Sequence, residues 1–315
     1  MEIDLQKCAD WLKAHDDYVI LTHAHPDGDT LGSGFALCTA LRRLGKHANV
    51  LNESTLPAKY SYIYDSYTPQ TFEVQHVVAV DIATESLLGG LQPQYAGKVD
   101  LCVDHHGSNT FYAMQSYVDP GSASCCEIIF ALIGLLGVPV DTYIADCIYT
   151  GVSTDTGCFR FGNTTSNCFS VAAELIKKGA HNVMINRKMF ETKTKTYAHL
   201  ERLALEGMRF YYAGRLAIIT VTQQMYAKTG SSEQETEALT PLTRQVEGTE
   251  IGITLREKKD GTCKASIRTY ESVDASKLAA CFGGGGHKEA AACNIAADVE
   301  TATDMLVRQC GAFLK

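Results

Sequence analysis

No stretch of this 315-residue chain approaches the roughly 18 consecutive apolar residues that span a bilayer, so a transmembrane helix is excluded. The N-terminus, MEIDLQKCADWLKAHDD, has neither the basic start nor the apolar centre of a signal peptide, and a cytoplasmic protein is expected. Among twelve cysteines there is no CxxC pair, and the adjacent Cys125 and Cys126 suit neither zinc spacing nor an ordinary bridge. Cys38, Cys102, Cys147, Cys168 and Cys281 lie in apolar stretches, where a reduced thiol packs as a small hydrophobe. Thiolate-bound zinc is therefore not expected. A basic stripe is missing too: 28 Lys and Arg stand against 36 Asp and Glu, for a formal charge of −8. Arg42-Arg43 and Lys177-Lys178 are isolated pairs that read as solvated helix ends. This charge balance argues against a grip on long nucleic acid. An anionic substrate must be held by a few placed groups or by metal ions, which favours small phosphorylated ligands.

What is present is an α/β pattern long enough for two domains. Hydrophobic content of 45% with 20% charged residues supports a real core. Strands are expected at 18–21, 47–51, 77–80 and 99–103, alternating with helices at about 30–44, 125–136, 141–151 and 165–178. Such alternation predicts a mostly parallel sheet flanked by helices. From 180 to 208 no proline occurs and glycine only at Gly207, and two helical stretches are read there. Beyond Phe210 shorter strands follow, FYYAGRLAIITV, EIGITLRE and KASIRTY, the last after the turn Lys259-Asp260-Gly261. Helices are expected near 235–246, 275–281 and 302–313. The division is a first domain over 1–185, a helical linker over 186–212, and a smaller C-terminal α/β domain with a mixed sheet over 213–315. No repeat or low-complexity tract stands out.

The chemistry sits at the ends of the apolar runs. LTHAHPDGDTLGS supplies His23, His25, Asp27 and Asp29; VVAVDIA supplies Asp81; LCVDHHGS supplies Asp104, His105 and His106; IYTGVSTDTGCFRF supplies Asp155. In a parallel sheet the C-terminal strand ends meet at one crevice, where such folds bind ligands. Each piece alone has an ordinary explanation: loop histidines, a helix N-cap at Asp29, a cap at Asp81. Four at once do not. Four aspartates in one cleft would raise one another's pKa values, and two divalent cations balance the charge of Asp27, Asp29, Asp81 and Asp155. Mixed carboxylate and imidazole donors suit Mn²⁺, with Mg²⁺, Co²⁺ or Fe²⁺ less favoured. Two such ions about 3.5–4 Å apart polarise a phosphoryl oxygen and activate water for in-line attack.

These motifs resemble those of the DHH phosphoesterase superfamily over essentially the whole chain: HAHPDGDTLGS the first, VVAVD the second, DHH the third and STDTG the fourth. FGGGGHKEAAAC, preceded by KASIRTY, resembles the glycine-rich signature of the DHH-associated domain. The chain departs from that signature at Ala292, where the family closes the small-residue run with glycine. The subgroup it most resembles is the NrnA type, oligoribonucleases (nanoRNases) that are also phosphatases of 3′-phosphoadenosine 5′-phosphate (pAp). By this resemblance His23, Asp27 and Asp81 bind one metal, and Asp29, Asp81, His105 and Asp155 the other. Asp104 orients a neighbouring imidazole, and His106 faces the scissile phosphate as a hydrogen-bond or proton donor.

In the second domain Gly284, Gly285 and Gly286 are read as an anion cradle. His287 adds a donor, and Arg268 a bidentate contact to a second phosphate. Arg160, close after Asp155, is a further candidate for substrate contact, with a helix-end salt bridge equally open. The implied activity is a metal-dependent phosphodiesterase and phosphatase, an exonuclease on RNA of two to five residues. It would release 5′-mononucleotides and remove phosphate from pAp, with pApA and cyclic di-AMP within reach of the same site. The implied partners are these oligoribonucleotides and nucleotides, no membrane, and a homodimer as one allowed assembly. The alternatives are a manganese-dependent inorganic pyrophosphatase, whose family carries a more basic C-terminal motif, and a non-catalytic nucleotide- or RNA-binding module.

Overall fold

The computed structural model describes residues 1–270 and 272–314, the side chains at positions 234 and 237 apart. The chain divides into two compact units, Met1–Thr192 and the remainder from Lys193. Among the described residues no helix is long and apolar enough to cross a membrane.

The first unit is built on five parallel strands: β1 (Tyr18–Leu21), β2 (Ala48–Leu51), β3 (His76–Val80), β4 (Leu101–Asp104) and β5 (Gln115–Val118), in the order β2-β1-β3-β4-β5. Strands buried on both faces read as continuous apolar runs, as YVIL and HVVAV do. Tyr18, Ile20, Val78, Val80, Leu101 and Val103 face the main core; Val19, Leu21, Val77, Ala79 and Cys102 face a smaller one. Burying each Ile, Val or Leu side chain contributes about 1.5–3 kcal/mol. The longer helices are α1 (Leu5–Ala14), α2 (Gly28–Arg43), α3 (Cys125–Leu136), α4 (Thr142–Asp155) and α5 (Ser166–Lys177).

Close helix approach at two glycines sets the site. A Cβ on Gly32 of α2 would lie 2.3 Å from the Cys147 carbonyl oxygen of α4. One on Gly151 of α4 would lie 2.2 Å from Cys126 Sγ and 2.6 Å from Asp29 Oδ1. Only hydrogen at these positions lets α2, α3 and α4 meet around Asp29.

Differences from the sequence reading have physical causes. Helix α2 starts at Gly28, not Thr30, because Asp27 caps it. Strand β5 was not foreseen: only Ser116 of its four residues is buried, so it shows no apolar pattern. Cys281 was expected to pack as a buried hydrophobe and is exposed instead. Leu278 and Ala279 face the core, and the helical turn carries Ala280 and Cys281 round to solvent.

The second unit holds a six-stranded mixed sheet: β6 (Arg209–Tyr211), β7 (Leu216–Val221), β8 (Ile251–Glu257), β9 (Cys263–Thr269), β10 (Gly285–Gly286) and β11 (Ala290–Ile295). Their order is β10-β11-β9-β8-β7-β6, with only β7 and β8 parallel. FYYAGRLAIITV is two strands, not one: Tyr212, Ala213 and Gly214 adopt left-handed backbone and reverse the chain. Its helices are α6 (Lys195–Glu206), α7 (Gln223–Thr229), α8 (Thr240–Arg244), α9 (Ala275–Ala280) and α10 (Val299–Phe313). The helix expected at 235–246 is a 3₁₀ turn over Glu233–Leu239 followed by the short α8. Strand β9 alternates buried Cys263, Ala265, Ile267 and Thr269 with half-buried Lys264, Ser266 and Arg268. Cys263, Ala265 and Ile267 join residues of α9 and α10 in an apolar core, leaving a polar opposite face.

Candidate metal centre

Strands β1, β3 and β4 are neighbours, so the segments leaving their C-terminal ends are adjacent in space. His23 follows β1, Asp81 follows β3, and Asp104 closes β4. The PDGD segment turns straight into α2. There Asp27 Oδ1 accepts the amides of Asp29 and Thr30 at 3.0 and 3.1 Å, while its Oδ2 lies 3.6 Å from His23 Nε2. Capping and presentation of a donor are thus done by different oxygens of one carboxylate.

Asp29 is wholly buried in the first turn of α2. Its two oxygens accept the Cys125 and Cys126 amides at 2.6 and 2.8 Å, which uses the positive end of α3 to hold a negative side chain. His105 donates through Nδ1 to the Ser122 carbonyl at 3.3 Å, which leaves the Nε2 lone pair free for a cation. That nitrogen lies 3.7 Å from Asp29 Oδ2, 3.5 Å from Asp81 Oδ1 and 3.5 Å from Asp155 Oδ2. Asp155 is the last residue of α4. The left-handed residues Gly157, Cys158 and Phe159 then turn the chain away.

Asp81 belongs to both clusters. Its Oδ2 is 3.6 Å from His23 Nε2, and its Oδ1 is 3.5 Å from His105 Nε2. The residue caps no helix: its amide extends the ladder to the Val103 carbonyl, and its φ of +59° is left-handed. Such strain outside glycine costs about 1–3 kcal/mol and gathers at functional sites.

The donor sets fit divalent ions. Among the described residues Asp81 Oδ1 and His105 Nε2 are buried without a hydrogen-bond partner, a costly state that a cation relieves. Metal–donor bonds of about 2.0–2.2 Å place neighbouring donors about 3.0–3.6 Å apart, close to the 3.5–3.7 Å separations here. Among the described residues, donors of His23, Asp27 and Asp81 gather at one point and those of Asp29, His105 and Asp155 at another, while Asp81 also groups with His105 and His106.

The electrostatics agree. Burial, then the charges of Asp29, Asp27 and Asp104, push the Asp81 carboxyl well above the usual range. Burial and the charges of Asp29, Asp27 and Asp81 do the same to Asp155. Asp29 is raised by burial and by Asp27, against the pull of His105 and two amides. Burial also pushes Asp27 upward, but His23 and the Thr30 and Asp29 amides outweigh it and leave it low. An acid raised above its unfolded value binds its proton more tightly when folded. The stability it lends is full below the ordinary carboxylate pKa of about 4 and is lost as pH climbs through the raised value. Metal-free protein should therefore lose thermal stability as pH rises above the ordinary carboxylate range, and the midpoint gain on adding Mn²⁺ should grow over the same rise. Thermal scans with and without EDTA check this; a metal-induced gain that falls with pH rejects the site.

The remaining pair of the triplet has a different arrangement. Asp104 Oδ1 accepts His106 Nδ1 and the His105 amide, both at 2.8 Å, and its Oδ2 accepts Asn109 Nδ2 at 2.7 Å. The imidazole that Asp104 orients is thus His106, not His105. The hydrogen bond that His106 donates to Asp104 raises the His106 pKa, overriding burial. Despite burial, His106, Asn109 and the His105 amide keep Asp104 low.

Sequence reasoning missed Asn109, the Ser122 carbonyl and the Cys125–Cys126 amides. Only the last had a signal, the helix-start pattern Ser124-x-x-Glu127. His25 is exposed and joins neither donor set. Arg160 is exposed, and its Nε donates to the Gly157 carbonyl at 2.6 Å, tying down its own loop.

In the second unit Arg268 is half-buried, flanked across the sheet by Gly252 and Ala290. The glycine loop makes close backbone approaches. A Cβ on Gly284 would sit 2.3 Å from the Ala292 carbonyl, and one on Gly286 2.5 Å from that of Ala290. The amides of Gly283, Gly284 and His287 donate to Ala280, Ala279 and Ala290. These two glycines thus serve backbone pairing with β11, while Gly285 and the His287 side chain are exposed.

A parallel sheet with carboxylates and imidazoles at its C-terminal edge, followed by a separate mixed sheet, defines a two-unit α/β protein built to hold divalent cations. Residues 17–152 match the N-terminal domain of the DHH family, and residues 221–312 match the DHHA1 domain. The chain belongs to the DHH family. It is similar to a bifunctional oligoribonuclease and PAP phosphatase NrnA of Thermus thermophilus, with 33% identity over 90% of this chain and 86% of the relative. The protein of that name from Bacillus subtilis is 25% identical over 90% of this chain and 91% of its own length. Among solved structures, an exopolyphosphatase-related protein from Bacteroides fragilis shares the fold with a TM-score of 0.90 and 23% identity, covering 98% of this chain and 96% of that one. RecJ of T. thermophilus, solved in complex with Mn²⁺, gives a TM-score of 0.54 at 14% identity, over 98% of this chain and 54% of that one.

Proposed function

We propose that the protein is a two-metal phosphoesterase that hydrolyses short oligoribonucleotides to 5′-mononucleotides and removes phosphate from pAp, with Mn²⁺ as the resident ion. The observation that carries this reading is the single Asp81 carboxylate presenting one oxygen to each of two donor sets. His23 and Asp27 complete the first set; Asp29, His105 and Asp155 complete the second. Divalent ions bound there supply Lewis acidity at a phosphoryl oxygen and lower the pKa of water.

The side chains do the rest. Asp29 and Asp104 are fixed by backbone and amide hydrogen bonds, so the donors need little reorganisation. Asp104 holds His106 with its proton on Nδ1 and leaves Nε2 for the substrate. With its pKa raised, His106 keeps a second proton, available to the leaving oxygen, to higher pH than a free imidazole does. Arg268 offers a guanidinium between two small residues for a further phosphate, with Gly285 and His287 exposed in the loop nearby in sequence.

The test is a Mn²⁺-supplemented assay offering pAp, pApA, a dinucleotide RNA and pyrophosphate in parallel. Turnover of pAp and the dinucleotide is expected; turnover of pyrophosphate alone overturns the reading. Replacing Arg268 by alanine should weaken nucleotide substrates by about 10–100-fold in kcat/KM, the worth of a charged hydrogen-bond pair. A generic chromogenic phosphodiester should be nearly unaffected, and equal loss on both rejects the anchoring role.

A further inference from the structure

The polar face of the second unit's sheet carries a pocket that the metal centre does not use. In the β8–β9 register Arg256 pairs with Lys264 and Thr254 with Ser266, all on the face opposite the apolar core. Together with Thr236 and Thr240 they line a small cavity of about 20 Å³. That volume admits an oxygen-sized atom, since a water needs about 10–15 Å³. Two polar atoms of its walls, Arg256 Nε and Thr254 Oγ1, are buried without a hydrogen-bond partner among the described residues. Thr254 is only 2% exposed. Orphaned donors of this kind are costly to a fold and point to a missing acceptor.

Arg256 and Lys264 also line a larger, open pocket of about 430 Å³ with Glu233, Lys258, Lys259, Asp260 and Asn294. Four cations there face two carboxylates, in a chain whose formal charge is −8. Glu233 lies 3.7 Å from Arg256 Nη1, and Asp260 lies 3.4 Å from Lys258 Nζ. Lys259 and Lys264 have no carboxylate within ion-pair distance among the described residues.

We propose that this pocket binds a phosphate group, with Arg256 and Lys264 as charged donors and the Thr254 hydroxyl facing an oxygen. A guanidinium, an ammonium and hydroxyls converging on one oxygen-sized space suit a tetrahedral oxyanion. The site is distinct from Arg268: Arg256 lies four strand positions from Gly252, the partner of Arg268, which is about 13 Å. Arg268 lines neither the small cavity nor the open pocket. The phosphate comes either from a free small molecule or from a distant position of a bound strand.

Titration calorimetry on the full chain, with metals removed by EDTA, tests this. The probes are inorganic phosphate, AMP, and 5′-phosphorylated RNA of two to five residues. Saturable binding should weaken about tenfold or more in Arg256→Met and Lys264→Met, the worth of a charged hydrogen bond. Arg256→Lys, which keeps the charge but lacks the Nε hydrogen, should weaken it several-fold. Weakening for inorganic phosphate and AMP identifies a free phosphate as the occupant; weakening confined to the longer oligomers identifies a phosphate of a bound strand. Lys264 is only half-buried, so its variant keeps the test open if Arg256→Met fails to fold. Wild-type affinity for every probe in both Lys264→Met and Arg256→Lys overturns the proposal. No metal or turnover enters the measurement, so its failure and that of the hydrolytic reading are distinguishable.

Discussion

Asp81→Asn is expected to lose turnover by at least about 10³-fold, because several kcal/mol of transition-state charge stabilisation rest on the two ions it helps to hold. Asparagine is the informative replacement. Like aspartate, it tolerates the left-handed backbone at this position, so the fold survives and the change is confined to charge. The variant also carries a second expectation of opposite sign. In metal-free protein the buried Asp81 carboxylate is a burden at neutral pH, since burial and three neighbouring carboxylates raise its pKa. Metal-free Asp81→Asn should therefore be at least as stable as the parent at pH 8 while binding less metal. Activity, metal content by atomic emission and thermal midpoints check all three. A variant that keeps both ions and full turnover rejects the shared-ligand role.

His106→Gln is expected to lower kcat by about 10²–10⁴-fold, the usual range for a proton donor in the transition state. The loss should be large for RNA and pAp, whose leaving oxygens need a proton, and small for a nitrophenyl ester, whose leaving group does not. Asp104→Asn should act through the same imidazole. Asp104 raises the His106 pKa, so the protonated form persists to higher pH than usual, and activity falls as pH rises through that raised value. Removing the carboxylate should move this alkaline limb to lower pH. A pH–rate profile unchanged by Asp104→Asn, with wild-type metal content, would assign Asp104 to folding alone.

The residues that gather at the candidate metal centre were legible because each interrupts or ends an apolar run where side chains usually pack. DHH after LCV and Asp81 after VVAV are out of place in a strand unless chemistry needs them. What supports these donors was much less legible. Asp29 is held by two backbone amides and His105 by a carbonyl, and backbone groups have no residue signature. Strand β5 buries one serine and so carries no apolar period. The reversal at Tyr212–Gly214 places two ordinary side chains in left-handed backbone before its glycine, which turn chemistry does not announce. In the glycine loop the residue types were noticed but their cause was not, because a close approach to one's own β11 and an approach to an anion both demand glycine.

The cysteines form a set of reporters distributed over both units. All twelve are free; Cys281 is exposed, Cys158 is half-buried, and the other ten are buried. Burial pushes the thiols of Cys8 and Cys102 up to about 12, so alkylating reagents meet neither an accessible sulfur nor a thiolate in the native state. Labelling beyond Cys281 and Cys158 then counts molecules that have opened. Cys8, Cys38, Cys102, Cys125, Cys126, Cys147 and Cys168 respond to opening of the first unit, and Cys263, Cys293 and Cys310 to opening of the second. Mass spectrometry of a timed labelling reaction thereby separates the unfolding clocks of the two units within one chain, without an engineered probe.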